Sequence, residues 1–347
     1  MKQRTLFLIA SLLLSLVGVQ TAFAQKMLIK LTDNQTVEYN VSQVEFISFI
    51  EETGGSGNEN LITDLPIYTE ATTPNSVRIG AMHGIEIPSL KTGNVDAFIV
   101  HTLSDGTLNY CVGYNTRLKA GSWTAYKWYG GFSSNNKNWN RNSWRNGETF
   151  NGYGGNGDPF QPDPVLPESM RVTSDDYSDS GYQRGHMLGS ADRLNSKEAN
   201  GQTFYLSNNQ PQLAGFNGQG IWYNLENYLR SAYDQSSFRD TLYVVKGGTI
   251  SAGNYQMIGN EGKLVCPNYY FMAILAYKKS YARINGGFWA IAFWMEHQAN
   301  TDNVSSAYAI SIDELEERTG IDFFCNLPDS IENAVEKKFY LPDWKLQ

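Results

Sequence analysis

Four short apolar runs constrain this chain most: Phe98-Ile99-Val100, Leu242 to Val245, Tyr270 to Ala276 and Phe288 to Phe293. Runs of this length, rich in β-branched and aromatic residues, read as strands of a buried sheet. Such a sheet needs cover. Ile221-Trp222, Leu225, Tyr228-Leu229 and Ala232 fall at helical spacing and predict an amphipathic helix. Ser311 and Glu314 form a capping-box pattern that opens another helix, and Gly320 closes it. Strands and helices do not alternate strictly, so the expected class is α+β rather than a doubly wound parallel sheet. The main domain is expected over residues 61–347.

What precedes that domain has its own signatures. Lys2 and Arg4 stand before the apolar run Leu6 to Val19, and Ala22-Phe23-Ala24 supplies the small residues that a signal peptidase requires. Residues 1–24 are therefore expected to be a signal peptide, with the protein exported to a periplasmic or extracellular space. Gln25 follows the cleavage point where a lipidated cysteine would stand. No later segment is long enough to cross a bilayer, so no membrane association is expected after cleavage. Residues 25–50 predict a small β-rich module: Met27, Ile29 and Leu31 alternate with polar neighbours, Asp33-Asn34 offers a turn, and Val37, Tyr39 and Val41 alternate again. Residues 51–60, EETGGSGNEN, have linker composition.

Composition bears on partners and redox chemistry. The formal net charge of −8, with only 18% charged residues, runs against the basic footprint of most nucleic-acid binders. A whole-chain average, however, is overridden by a local site. Cys111, Cys266 and Cys325 cannot all pair; one disulfide with a free thiol, or no disulfide, are both consistent with an oxidising compartment. Their wide separation excludes a CxxC redox or zinc motif.

The stretch Gly131 to Pro164 is rich in Asn and Gly and contains a literal GxGxxG, Gly152 to Gly157. No strand pattern precedes it and Asp158-Pro159 follows where a helix would begin, so a flexible loop is expected there, not a dinucleotide site. Lys137, Trp139, Arg141, Trp144 and Arg145 interleave in the same stretch, a combination able to clamp a nucleic-acid strand. The plainer reading is a solvated loop with buried Trp anchors. HExxH, G-x-S-x-G and Walker patterns are missing, which removes the commonest metalloprotease, hydrolase and NTPase readings.

Of the four histidines, His186 has informative surroundings. It lies in Gln183-Arg184-Gly185-His186, followed by Leu206-Ser207-Asn208-Asn209-Gln210-Pro211-Gln212, then Phe216-Asn217, then Trp222-Tyr223-Asn224-Leu225-Glu226, with Arg230 beyond. In order and spacing these pieces resemble the DNA/RNA non-specific endonuclease family, a branch of the ββα-metal nucleases that includes mitochondrial endonuclease G. The resemblance covers about residues 80–300. It implies a central, mainly antiparallel sheet flanked by helices, here preceded by the small β-rich module. It also implies Mg²⁺-dependent hydrolysis of DNA and RNA, with Mn²⁺ as a substitute. Position by position, His186 matches the general base, Asn217 the direct metal ligand, and Glu226 the acid that holds metal-bound water. Arg184 and Arg230 match arginines near the phosphate, and Asn208 a supporting asparagine. Two departures stand out: Gln183 replaces the family's usual Asp, and one extra residue lies between Asn217 and Trp222.

Those roles have a physical basis of their own. A neutral imidazole has a pKa suited to taking a proton from water. A cation held by one neutral amide and several waters keeps most of its charge for the phosphate. Glu226 and Arg230, spaced i and i+4, project from one helix face; alone, such a pair is an exposed ion pair worth ~0.3–0.5 kcal/mol. Two other classes fit some features. A binding protein on a catalytically degenerate scaffold would account for Gln183, the extra residue and the acidic charge. A glycan hydrolase would account for export and the many aromatic residues.

Overall fold

The computed structural model describes residues 26–30, 36–40, 65–90, 95–281 and 285–346, so the signal-peptide and linker readings fall outside the described residues. The chain divides into two compact units, 1–57 and 58–347. In the first, β1 (Lys26–Lys30) and β2 (Thr36–Asn40) pair antiparallel, Lys26 opposite Asn40.

The second unit begins with β3 (Ile67–Thr69), α1 (Asn75–Ala81), β4 (Ala97–Thr102), β5 (Leu108–Asn115) and β6 (Ala120–Trp128). After a long irregular stretch come β7 (Gln183–His186), α2 (Lys197–Gln202), β8 (Asn209–Gln212), α3 (Ala214–Asn217) and α4 (Ile221–Tyr228). The chain continues through β9 (Thr241–Gly248), β10 (Tyr255–Ile258), β11 (Leu264–Pro267), β12 (Tyr269–Tyr277), β13 (Phe288–Glu296) and β14 (Ala309–Ile310), then α5 (Ile312–Thr319) and α6 (Asp329–Glu336).

Eight strands form one sheet in the order β14-β13-β12-β9-β6-β5-β4-β3, and every pairing is antiparallel except β3 with β4. All four apolar runs lie in it, on β4, β9, β12 and β13. Their unbroken hydrophobicity has a simple cause: both faces are covered. Along β12, Met272, Ile274 and Ala276 pack on one side with Trp222 and Leu225 of α4. Phe271, Ala273 and Leu275 pack on the other with Ile312 and Leu315 of α5 and Val335 of α6. Each buried Met, Ile, Leu, Val or Phe side chain among these contributes roughly 1.5–3 kcal/mol relative to exposure. The α+β class with a mainly antiparallel central sheet is as expected.

Both anticipated helices form. Ser311 accepts a hydrogen bond from the Glu314 amide (3.1 Å), and Gly320 ends α5 with φ of 68°, a conformation glycine tolerates best. Among the described residues no helix is long and apolar enough to cross a membrane. No disulfide joins Cys111, Cys266 or Cys325, and the first two are buried.

Candidate active site

On the α4 side of the sheet, β7 and β8 pair antiparallel with His186 opposite Asn209 and Gln183 opposite Gln212. This two-stranded ribbon, with α4 alongside, is the ββα element. Gly185 is required by close approach: a Cβ there would stand 2.1 Å from Gln212 Oε1.

Arg184, His186, Asn217, Glu226 and Arg230 line one cleft of ≈ 550 Å³. His186 sits at its wall between the rings of Phe160 and Phe204, with centroids 5.1 and 4.9 Å away. Its Nε2 is buried without a hydrogen-bond partner. Burial, reinforced by the nearby positive charge of Arg141, pushes the imidazole pKa down to about 3, so the ring is neutral across the ordinary pH range.

Asn217 ends α3, and its Nδ2 donates to Gln183 Oε1 at 2.9 Å. With the amide nitrogen engaged, Oδ1 is the atom left for a cation, the kind of outer-sphere orientation that metal sites depend on. Gln183, the residue that departs from the family pattern, thus has a partner in the site. The extra residue is absorbed between α3 and α4. Gly220 opens α4, and a Cβ on it would lie 2.2 Å from the Gly215 carbonyl oxygen. Glycine is needed here for space and not for its backbone freedom, since φ is −99° at Gly218 and −89° at Gly220. Asn300 caps α4 from outside, accepting from the Ile221 amide at 2.8 Å.

Glu226 and Arg230 do reach the same cleft, but they are not partners. Arg230 lies in a π turn after α4 (Leu229–Tyr233) and donates to Asp192 at 2.6 Å. Glu226 accepts from Lys246 at 3.0 Å. Lys246, on β9, has a fully buried side chain and also lies 3.6 Å from Asp192, with its Nζ over the rings of Tyr126 and Trp222. Burial alone would raise the Asp192 pKa, but Arg230 and Lys246 outweigh it and hold the carboxylate below its usual range. The result is a four-residue charged floor that immobilises Glu226. Lys246 escaped notice in the sequence because it adjoins the apolar run Leu242 to Val245; a charge at the same face as Leu242 and Val244 was the available signal.

Arg184 serves two neighbours, donating to Asp158 (3.0 Å) and Ser174 (3.2 Å) with its guanidinium 4.0 Å from the Phe160 ring centre. Asn208 stands outside the cleft lining. It is fully buried, accepts from the Leu188 amide (2.9 Å) and donates to the Leu188 and Thr203 carbonyls (3.0 and 2.8 Å), so it holds the backbone just after His186. Asn209 is buried as well, its Nδ2 donating to the Tyr205 carbonyl at 2.7 Å.

The stretch 131–164 is more ordered than a flexible loop. A 3-10 turn, Arg141–Asn146, carries the buried Trp144, whose Nε1 donates to Asn200 at 2.8 Å. This anchor brings Arg141 and Arg145 to the cleft, exposed and, among the described residues, without an acidic partner. Lys137 is exposed and does not line it. Against a chain that is acidic overall, the cleft gathers four arginines: Arg141, Arg145, Arg184 and Arg230.

The other two paired histidines are structural, in opposite charge states. His101 is fully buried between Glu70 (2.7 Å) and Asp163 (3.0 Å), and Asp163 also accepts from Ser207. Burial alone would depress its pKa, yet the two carboxylates raise it to about 10. His297 accepts from the Leu213 amide through Nε2 (2.9 Å) and faces the Pro267 carbonyl through Nδ1 (3.1 Å); burial lowers its pKa to about 4. It braces the turn from β8 into α3, hence Asn217.

Comparison with known proteins gives a consistent picture. The model of the family described as DNA/RNA non-specific endonuclease matches residues 101–330. A Nostoc sp. protein named "Nuclease" is 34% identical over 172 residues, covering 49% of this chain and 60% of its own. The "Mitochondrial nuclease" of Saccharomyces cerevisiae is 32% identical over 183 residues, 50% of this chain and 55% of its own. The chain thus spans little more than half the length of these curated relatives. A solved structure, titled "Crystal structure of the EndoG/EndoGI complex: Mechanism of EndoG inhibition", aligns with a TM-score of 0.54 and 22% identity over 69% of this chain and 91% of that one, a likeness of fold.

Proposed function

This chain belongs to the DNA/RNA non-specific endonuclease family, and from that premise we propose that it is an exported, Mg²⁺-dependent nuclease that hydrolyses DNA and RNA with little base preference. The observation that carries the reading is one cleft in which a neutral imidazole, an oriented amide oxygen and a carboxylate face four arginines. The donor set suits a hard divalent cation: Asn217 would hold it directly and Glu226 through water. Once bound, the cation would offset the charge that gathers on the phosphorane and the leaving oxygen. Mn²⁺ accepts the same oxygen ligands and is expected to substitute.

The protein's own groups divide the remaining work. His186, at the cleft wall with its Nε2 unpartnered, is placed to take the proton from the attacking water. Arg184 and Arg230 attract the phosphate, with orientations set by Asp158 and Asp192. Arg141 and Arg145, free of acidic partners among the described residues, draw the strand into the cleft. Contacts of this type go to phosphates, so they carry little sequence information. Gln183, which suggested a degenerate scaffold, supports catalysis instead because it orients Asn217. The export signal in residues 1–24 supports action outside the cytoplasm.

The deciding experiment incubates purified protein with plasmid and with RNA, in Mg²⁺ and in EDTA. Cleavage of both substrates in Mg²⁺ and of neither in EDTA is expected. Activity that survives EDTA, or that is confined to one short sequence, overturns the reading.

A metal titration tests the ligand. Asn217→Ala should require far more Mg²⁺ for any activity, because the direct ligand is gone. Asn209→Ala should leave the Mg²⁺ requirement unchanged, because Asn209 is buried and does not line the cleft. The reverse ranking would assign the metal to the other asparagine.

A further inference from the structure

A second carboxylate group lies far from the cleft, on the opposite side of the sheet. Asp313 and Glu316, spaced i and i+3 on α5, meet Glu336 of α6, and one oxygen from each lies within 4.8 Å of the other two. Glu336 is only 7% exposed, its carboxylate faces the other two acids, and its Oε1 is buried with no hydrogen-bond partner. Among the described residues no Lys or Arg forms an ion pair with any of the three. The salt bridge on this helix, Arg318 to Glu314, points elsewhere. Three carboxylates converging on a nearly buried point without a cation are repulsive and poorly solvated, so they call for a positive partner.

We propose that Asp313, Glu316 and Glu336 bind a divalent cation of the calcium type, which clamps α5 to α6. The spacing fits: with no two of the oxygens more than 4.8 Å apart, one point lies within about 2.8 Å of all three, close to the roughly 2.4 Å of a Ca²⁺–oxygen bond. Hard carboxylate oxygens favour Ca²⁺ over softer metals, and its flexible coordination accepts an irregular set completed by water. Glu316 Oε1 already accepts from the Phe323 amide at 2.7 Å, which fixes that side chain in place. Glu336 is the last residue of α6, where the helix dipole disfavours a carboxylate and favours a cation. The electrostatics agree: burial, opposed by the Phe323 amide and aided by Asp322, Asp313 and Glu332, pushes Glu316 up to about 8, and burial with Glu316, Glu332, Asp322 and Asp313 pushes Glu336 up to about 9.

The site is tested by thermal unfolding and calorimetric titration of the full chain with CaCl₂ after dialysis against EDTA. Wild type should gain thermal stability with millimolar Ca²⁺, and Asn217→Ala should gain it equally, which separates this site from the cleft. Glu336→Gln should weaken Ca²⁺ binding by roughly tenfold or more and abolish the stability gain. Asp313→Asn, at a half-buried position, should weaken it as well and serves as the second variant should Glu336→Gln not fold. A Ca²⁺ response of equal size in wild type and both variants overturns the proposal. So does no Ca²⁺ response with stabilisation on mild acidification alone, because the carboxylates would then be sharing protons.

Discussion

Replacement of His186 by alanine should lower kcat on plasmid DNA by on the order of 10²–10⁴-fold, with the unfolding temperature and DNA affinity close to wild type. The size follows from the loss of the single base in the cleft. The selectivity follows from the structure: the arginines that attract phosphate have their own partners or are exposed, and none depends on the imidazole. The pH profile gives a sharper test. With its pKa pushed down to about 3 by burial and Arg141, His186 should remain unprotonated well below the ordinary histidine range. The acid limb of kcat/KM should therefore lie below the ordinary histidine range, and it should disappear in the alanine variant. Near-normal turnover in His186→Ala would make this a packing histidine between Phe160 and Phe204 and restore the binding-protein reading.

The second large effect is on stability. His101→Leu should cost about 3–5 kcal/mol, because it leaves Glu70 and Asp163 facing each other without their cation. For a chain of this size the unfolding temperature should drop by on the order of 10 °C. The sign with pH is fixed by the direction of the shifts. The folded pKa of His101 is raised to about 10, so its contribution is complete below the unfolded value of roughly 6.5 and is lost as pH rises through 10. Burial would raise the pKa values of Glu70 and Asp163, but His101 outweighs it and lowers both, so their contribution is lost as pH falls through the carboxylate range. The difference between wild type and variant should thus be largest at about pH 5–6.5 and shrink toward both extremes. A difference that stays constant from acid to alkaline pH would show that the ion pairs are not its source. Asp163 also accepts from Ser207, next to Asn208, so the strut supports the segment that leads into β8.

Much of this protein was determined locally. Apolar runs marked β4, β9, β12 and β13 because a strand covered on both faces has no need to alternate. The spacing of Ile221, Trp222 and Leu225 marked α4, and Ser311 with Gly320 marked the ends of α5, because caps satisfy backbone groups within a few residues. The order of the Arg-Gly-His, Ser-Asn and Leu-Glu segments picked out Arg184, His186, Asn217 and Glu226, which line the cleft from β7, α3 and α4, and passed over only Tyr223 of α4. Partnership was another matter. An i, i+4 spacing brought Glu226 and Arg230 to the same cleft, but Lys246 and Asp192, which come from β9 and the turn after β7, decided what each one binds. Gln183 looked like a loss until the fold put it 2.9 Å from Asn217. Four histidines were equivalent as letters; burial beside an arginine makes His186 neutral, while burial between two carboxylates makes His101 a cation. Asp313, Glu316 and Glu336 form a cluster only because two helices pack on the same face of the sheet. Helix caps and strand faces depend on neighbours in the chain and are written there. Charge states and ion pairs depend on which distant elements remove water and supply the opposite charge, and only the packed tertiary structure decides that.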